Sequence, residues 1–186
     1  MRASALIFIY MKINNSLKEI EIEKAWSELI ISQSPFPVTC NKEKLGIGTT
    51  DGIIRFYNDT ELLFWILQET KRDVGLNSVW FNRSLLQSIM YLSNIYYDTN
   101  PLSLDKFKGV FLDSAKYFVF INKKSINCLM ENFYELWSKY YRVRPSDAWR
   151  IPDLNDWIQE VNVEKTILND NSRLKNLIED IYNNKF

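Results

Sequence analysis

Leu62-Leu63-Phe64-Trp65-Ile66-Leu67 is the stretch on which the fold turns. Six apolar residues in succession cover every face of a helix. Asp59 or Thr60 in front offers a helix cap and Gly75 behind offers a stop, so the spacing predicts a helix ending near Lys71. Apolar all round, it is expected to be the most deeply buried helix of the fold.

On its N-terminal side, Leu45-Gly46-Ile47-Gly48 and Ile53-Ile54-Arg55-Phe56-Tyr57 flank Thr49-Thr50-Asp51-Gly52, which predicts a β-hairpin turning at Asp51-Gly52. Before that, Ser16-Leu17-Lys18-Glu19 reads as a capping box. The helix it opens carries Leu17, Ile20, Ala25, Trp26, Leu29 and Ile30, although Glu19 to Glu23 also alternate as a strand would. Ser34-Pro35-Phe36-Pro37 ends that element.

On the C-terminal side, Val79-Trp80-Phe81 reads as a core plug between helices, and Ser84 and Ser103 each open a helix. Lys116 to Ile121 is aromatic and β-branched, hence a strand. Ser125 opens the longest clean helix, Asp153 to Val161 is a short one, and Leu174, Leu177, Ile178, Ile181 and Tyr182 mark the last. The resulting fold class is α+β and mainly α: a helical single domain over residues 1–186, with a β-hairpin and one or two additional short strands. Residues 1–10, with Arg2 before the apolar run Ala5 to Met11, read as an N-terminal strand or as an extension ahead of a start at Met11. The run is too short to span a bilayer and lacks a small-x-small cleavage site, so a cytoplasmic chain is expected.

Composition excludes more than it reveals. The chain has no histidine, which removes Ser-His-Asp and Cys-His pairs, an imidazole base and His-ligated metal. Its 23 basic and 23 acidic side chains cancel, 10 of each falling in residues 1–93, without the global positive excess of a duplex-binding domain or a polybasic anchor. Cys40 and Cys128 are too far apart for a Cys-x-x-Cys motif and are expected as free thiols. The wealth of Asn, Ile, Lys and Tyr is what A/T-rich microbial codons encode.

Gly46-Ile47-Gly48-Thr49-Thr50-Asp51-Gly52 resembles a phosphate loop only superficially: its third glycine is one place late and the segment runs into a strand. Pairs such as Glu131/Glu135 and Asp153/Asp156 are spaced as solvated helix faces are, and Asp51 or Asp59 belongs to no calcium loop. No cofactor and no metal site is therefore expected. The most informative segment is Lys139 to Pro152, where Tyr, Trp and Arg crowd a loop of net charge +3, directly before Asp153 to Asp170 of net charge −4. Arg142, Arg144, Trp149, Arg150, Asp153, Asp156 and Glu160 are the candidate partner-binding residues. Equally, Tyr140, Trp149 and Trp157 can be core anchors, with Arg150 simply paired to Asp153. By elimination the chain reads as a non-enzymatic, protein-binding protein, such as an immunity or antitoxin-like inhibitor of a microbial toxin or enzyme. Nucleic acid and membrane are not expected partners. The alternatives are a histidine-independent enzyme using carboxylate, Tyr or Lys chemistry, and a module contacting single-stranded RNA.

Overall fold

The structure, a computed structural model, describes residues 18–72, 79–97, 102–115, 118–160, 163–168 and 171–186. In chain order the elements are α1 (Glu19–Gln33), β1 (Val38–Asn41), β2 (Lys44–Leu45), β3 (Gly48–Thr49), β4 (Gly52–Asn58), β5 (Glu61–Thr70) and α2 (Val79–Tyr97). They continue with β6 (Phe107–Asp113), β7 (Phe118–Asn122), α3 (Lys123–Tyr140), α4 (Pro152–Glu160), β8 (Thr166–Leu168) and α5 (Leu174–Tyr182). Six strands form one mixed sheet in the order β1-β4-β5-β6-β7-β8, while β2 and β3 make a small separate ribbon. Only β5 and β6 run parallel, joined through α2; their neighbours pair antiparallel. A parallel pair needs such a crossover, because a tight turn can only reverse the chain.

Helices cover both sheet faces, and strand alternation feeds two cores. Trp65 and Leu67 of β5, with Val110, Leu112, Val119 and Ile121, pack under α2, α3 and α4. Phe64 and Ile66, with Ile54, Phe111, Phe118 and Phe120, pack under α1 and α5. β5 is thus buried on both sides, which is why its sequence shows no alternation.

That burial overturns the expected fold class. The protein is a roughly balanced α/β fold around a six-stranded sheet, not a mainly α domain with a hairpin and one or two extra strands. Leu62 to Leu67 is the core strand, not the core helix, since a continuous apolar run satisfies either period. Asp59 caps no helix but sits at φ 52° in the tight turn joining β4 to β5, where Asn58 faces Glu61. The hairpin expected over 45–57 resolves into the β2–β3 ribbon turning at Gly46-Ile47, while Asp51-Gly52 leads into β4. Ser103 precedes only a short 3-10 turn (Leu104–Lys106), after which Phe107, Val110 and Phe111 belong to β6. Ser84 is buried inside α2 rather than opening it.

Other readings hold. α1 ends before Pro35, β7 occupies the aromatic stretch, and α3, α4 and α5 lie where their apolar spacings place them. The cap of α3 is Asn122, whose side chain accepts from the Ser125 amide at 2.9 Å. Ser16 and the apolar run at 5–11 lie outside the described residues. Both cysteines are free, and Cys128 is exposed. Burial pushes the Cys40 thiol up to about 11, which keeps it unreactive near neutral pH. Among the described residues no helix is long and apolar enough to cross a membrane.

Candidate active site

The carboxyl ends of the parallel strands β5 and β6 carry the densest polar cluster in the described interior. Open α/β sheets characteristically bind ligands at this edge, where strand ends leave the helical layers. Gln68, Glu69, Thr70 and Asp113 are fully buried there. Two-residue alternation divides them. Gln68 and Thr70 continue the side of Ile66, towards α1, whereas Glu69 continues the side of Leu67, towards α2.

On the α1 side, Asp113 Oδ2 accepts from Gln68 Nε2 at 3.1 Å and from Thr70 Oγ1 at 2.9 Å. Asp113 Oδ1 has no hydrogen-bond partner among the described residues. Burial raises the Asp113 carboxyl well above its ordinary range, more than the two donated hydrogen bonds lower it. The folded protein therefore retains a proton that the unfolded chain releases, so this contribution to stability is present at low pH. It is lost as pH rises above the ordinary Asp value through the raised folded one. Asp113→Asn is expected to flatten the fall in stability between pH 5 and 8 and to leave the protein more stable than wild type at pH 8. Urea melts at the two pH values read this directly, and an unchanged pH slope would refute the assignment.

Around the end of β5, from Glu69 on the α2 side to Glu19 of α1, lies a carboxylate–lysine group. Lys71 Nζ pairs closely with Glu69 Oε1, donates to the Thr70 carbonyl at 2.9 Å, and lies 3.6 Å from Glu19 Oε1 and 4.0 Å from Asp51 Oδ2. Asp51 Oδ2 also accepts from the Thr70 amide at 2.8 Å, which fixes this carboxylate across the end of the β4–β5 ladder. The group grades from solvent to interior: side-chain exposure is 48% at Glu19, 20% at Asp51, 15% at Lys71 and 0% at Glu69. Burial works to lower Lys71, but Glu69, Asp51 and Glu19 together hold the ammonium above its usual range. Burial raises Glu69, seconded by Asp51, and Lys71 opposes it. Glu69 Oε2 has no hydrogen-bond partner among the described residues.

Tyr91 of α2 borders this group. Its hydroxyl donates to the Thr49 carbonyl at 2.7 Å and receives a 3.4 Å contact from Gln87 Nε2, one helical turn away. Burial, with the charge of Glu69 next, pushes the phenol up to about 12, so it stays a neutral donor. Glu23, paired with Lys42 at 2.7 Å, adds a further acid from α1. Glu19, Glu23, Asp51 and Glu69 thus gather around Lys42 and Lys71, a surplus of carboxyl oxygens suited to a hard cation. Among the described residues no three acidic or thiol side chains are already gathered around one point as metal ligands. A small hard cation does not require that, because magnesium-type ions bind through one or two carboxylates and fill the rest with water and substrate oxygens.

The partner-binding residues expected from sequence are placed as follows. Arg142, Arg144, Arg150, Asp153, Asp156 and Glu160 are exposed or partly exposed, and Trp149 is half-buried. Trp149 lies in a 3-10 turn (Pro145–Arg150) with the Arg83 guanidinium 3.4 Å from its ring centroid and that of Arg150 at 5.3 Å. Arg150 does not pair with Asp153; it meets Asp147 at 3.5 Å. Asp153 instead binds Lys139 and the Tyr140 hydroxyl, each at 2.5 Å, tying the end of α3 to the start of α4. Trp157 anchors inward, its ring 5.3 Å from that of Phe133. The 3-10 turn adjoins the acidic group through Gly48: a Cβ there would lie 2.7 Å from the Tyr91 ring and 3.2 Å from Pro145, and Thr49 to Asp51 follow directly.

Glu69, Lys71, Asp113, Gln87 and Tyr91 were invisible as a site while Leu62 to Leu67 read as a helix. The available signal was Glu69-Thr70-Lys71 at the end of an apolar run, since in a strand the first and third residues share a face. No protein-family model, curated protein or solved structure matches the chain.

Proposed function

We propose that the chain hydrolyses phosphodiester bonds with the help of a divalent cation, at the site formed by Asp51, Glu69 and Lys71. One observation carries this reading: a fully buried Glu69 carboxyl with one oxygen on Lys71 and the other unpartnered among the described residues, beside the fixed carboxylate of Asp51. Asp51 and Glu69 would hold a hard cation, which would polarise phosphoryl oxygens and make a bound water more acidic. Lys71, kept protonated by its acidic neighbours, offers a fixed positive charge where negative charge develops in the transition state. In the net reaction the oxygen of one water bonds to phosphorus, one P–O ester bond breaks, and the leaving oxygen departs as a hydroxyl.

A polyanionic substrate fits the neighbouring surface. Arg83, Trp149 and Arg150 form a stacked basic rim on the side of Gly48 and Tyr91, and Arg142 and Arg144 extend it. Guanidinium groups track phosphates and an accessible indole stacks on bases, the combination used for single-stranded nucleic acid. The purified chain is expected to cut single-stranded oligonucleotides with Mg²⁺ or Mn²⁺ and to stop in EDTA. Trp149→Ala with Arg150→Ala is expected to raise KM about tenfold, leaving kcat and the melting temperature unchanged. Cleavage that persists in EDTA would sink the proposal.

A second reading is stoichiometric protein binding, as by an inhibitor. It is supported by the exposure of Arg142, Arg150, Asp156 and Glu160, and by Tyr134 and Tyr141 standing exposed two turns apart at the end of α3. It requires a stoichiometric protein complex that the Trp149/Arg150 double variant loses, formed by a chain without cleavage activity.

A further inference from the structure

A second polar concentration lies at the opposite end of β6, where the sheet meets the first turn of α3. There a cavity of about 280 Å³ is lined by Lys108, Lys123, Lys124, Asn184 and the rings of Phe120 and Phe186. β6 runs from Phe107 at this cavity to Asp113 beside the acidic cluster, a separation of roughly 20 Å for seven strand residues. The two places are therefore independent.

The charge of this cavity is unbalanced. Among the described side chains, three ammonium groups line it against one carboxylate, that of Asp105. Two of them rest on neutral acceptors: Lys108 on the Asn184 side-chain oxygen, and Lys123 on the Leu104 carbonyl at 2.8 Å. Burial, with the charge of Lys123 next, lowers the Lys108 ammonium, as expected where positive charge has too little compensation. Lys123 and Lys124 also occupy the first turn of an 18-residue helix, where the macrodipole disfavours cations. Local rules broken without an internal compensation are characteristic of ligand sites. In the same lining, the Phe120 and Phe186 rings meet edge to face with centroids 5.4 Å apart, giving the cavity an apolar aromatic wall.

We propose that this cavity binds a phosphomonoester that carries an aromatic base, of mononucleotide size. The phosphate dianion meets Lys108, Lys123 and Lys124 at the first turn of α3. The base lies against the aromatic wall, and the Asn184 amide is the polar group available to its edge.

Calorimetric titration of the full chain in EDTA tests this without engaging the cation-dependent site. Adenosine 5′-monophosphate is expected to bind, with adenosine and inorganic phosphate each at least tenfold weaker. Lys124→Gln alters a side chain at the surface and leaves the core untouched; it is expected to weaken the mononucleotide at least tenfold with an unchanged melting curve. Asp105→Asn is expected to tighten it. No heat with the mononucleotide overturns the proposal. So does equal affinity for adenosine, or an affinity that Lys124→Gln leaves intact.

Discussion

Lys71→Met is expected to reduce cation-dependent cleavage about a thousandfold, the scale at which a preorganised charge-stabilising group acts. The ammonium is encircled by Glu69, Asp51, Glu19 and the Thr70 carbonyl, all of them acceptors, so none of its contacts can replace its charge. The substitution also leaves Glu69 buried without its partner, and the raised carboxyl then takes up a proton. Part of any loss is thus destabilisation, and cleavage assayed well below the variant's own melting temperature separates the two effects. A variant retaining more than a tenth of the wild-type rate would mean that Lys71 is a structural counter-ion only.

Gly109→Ala carries the largest expected effect on stability. Gly109 sits in β6 where the register against β5 slips, Trp65 facing Phe107 and Ile66 facing Gly109. Its φ is +155°, and an added Cβ would lie 2.2 Å from the backbone oxygen of Ile121 and 2.6 Å from the Phe120 ring. A backbone oxygen in the β6–β7 ladder cannot swing aside as a flexible side-chain tip does. The cost is expected at about 3 kcal/mol, or a fall in melting temperature of roughly 10 °C for a chain of this size. A thermal melt unchanged by the substitution would show that β6 does not pair with β7 in this register.

Much of the periphery of the fold was legible from its residues, and its centre was not. The spacings of Ile126, Leu129 and Phe133 in α3, and of Leu174, Leu177, Ile178 and Ile181 in α5, place one buried face on each helix. The twofold-buried strands β5 and β6 gave no such contrast, because helices on both sides of a sheet remove the alternation that identifies a strand. Reading Leu62 to Leu67 as a helix then scattered Glu69 and Lys71 around a cylinder and hid their common face. Asp113 and Tyr91 reach the same edge only through the β5–α2–β6 crossover, a long-range fact that local spacing does not contain. The sequence left Trp149 open as a core anchor or a surface contact, and its partner was not legible: it is Arg83 of α2, some sixty-six positions away in sequence.

The most direct measurement compares wild type with Asp51→Asn in cleavage of a labelled single-stranded oligonucleotide as Mn²⁺ is raised from zero. The introduced side-chain amide keeps an oxygen that can accept from the Thr70 N–H, so the fold is preserved while the carboxylate charge is lost. The predicted result is cleavage by wild type that rises with Mn²⁺, vanishes in EDTA and is absent from Asp51→Asn at every concentration. Wild-type protein that cuts nothing at any Mn²⁺ concentration, or an Asp51→Asn variant that cuts as well as wild type, would contradict it.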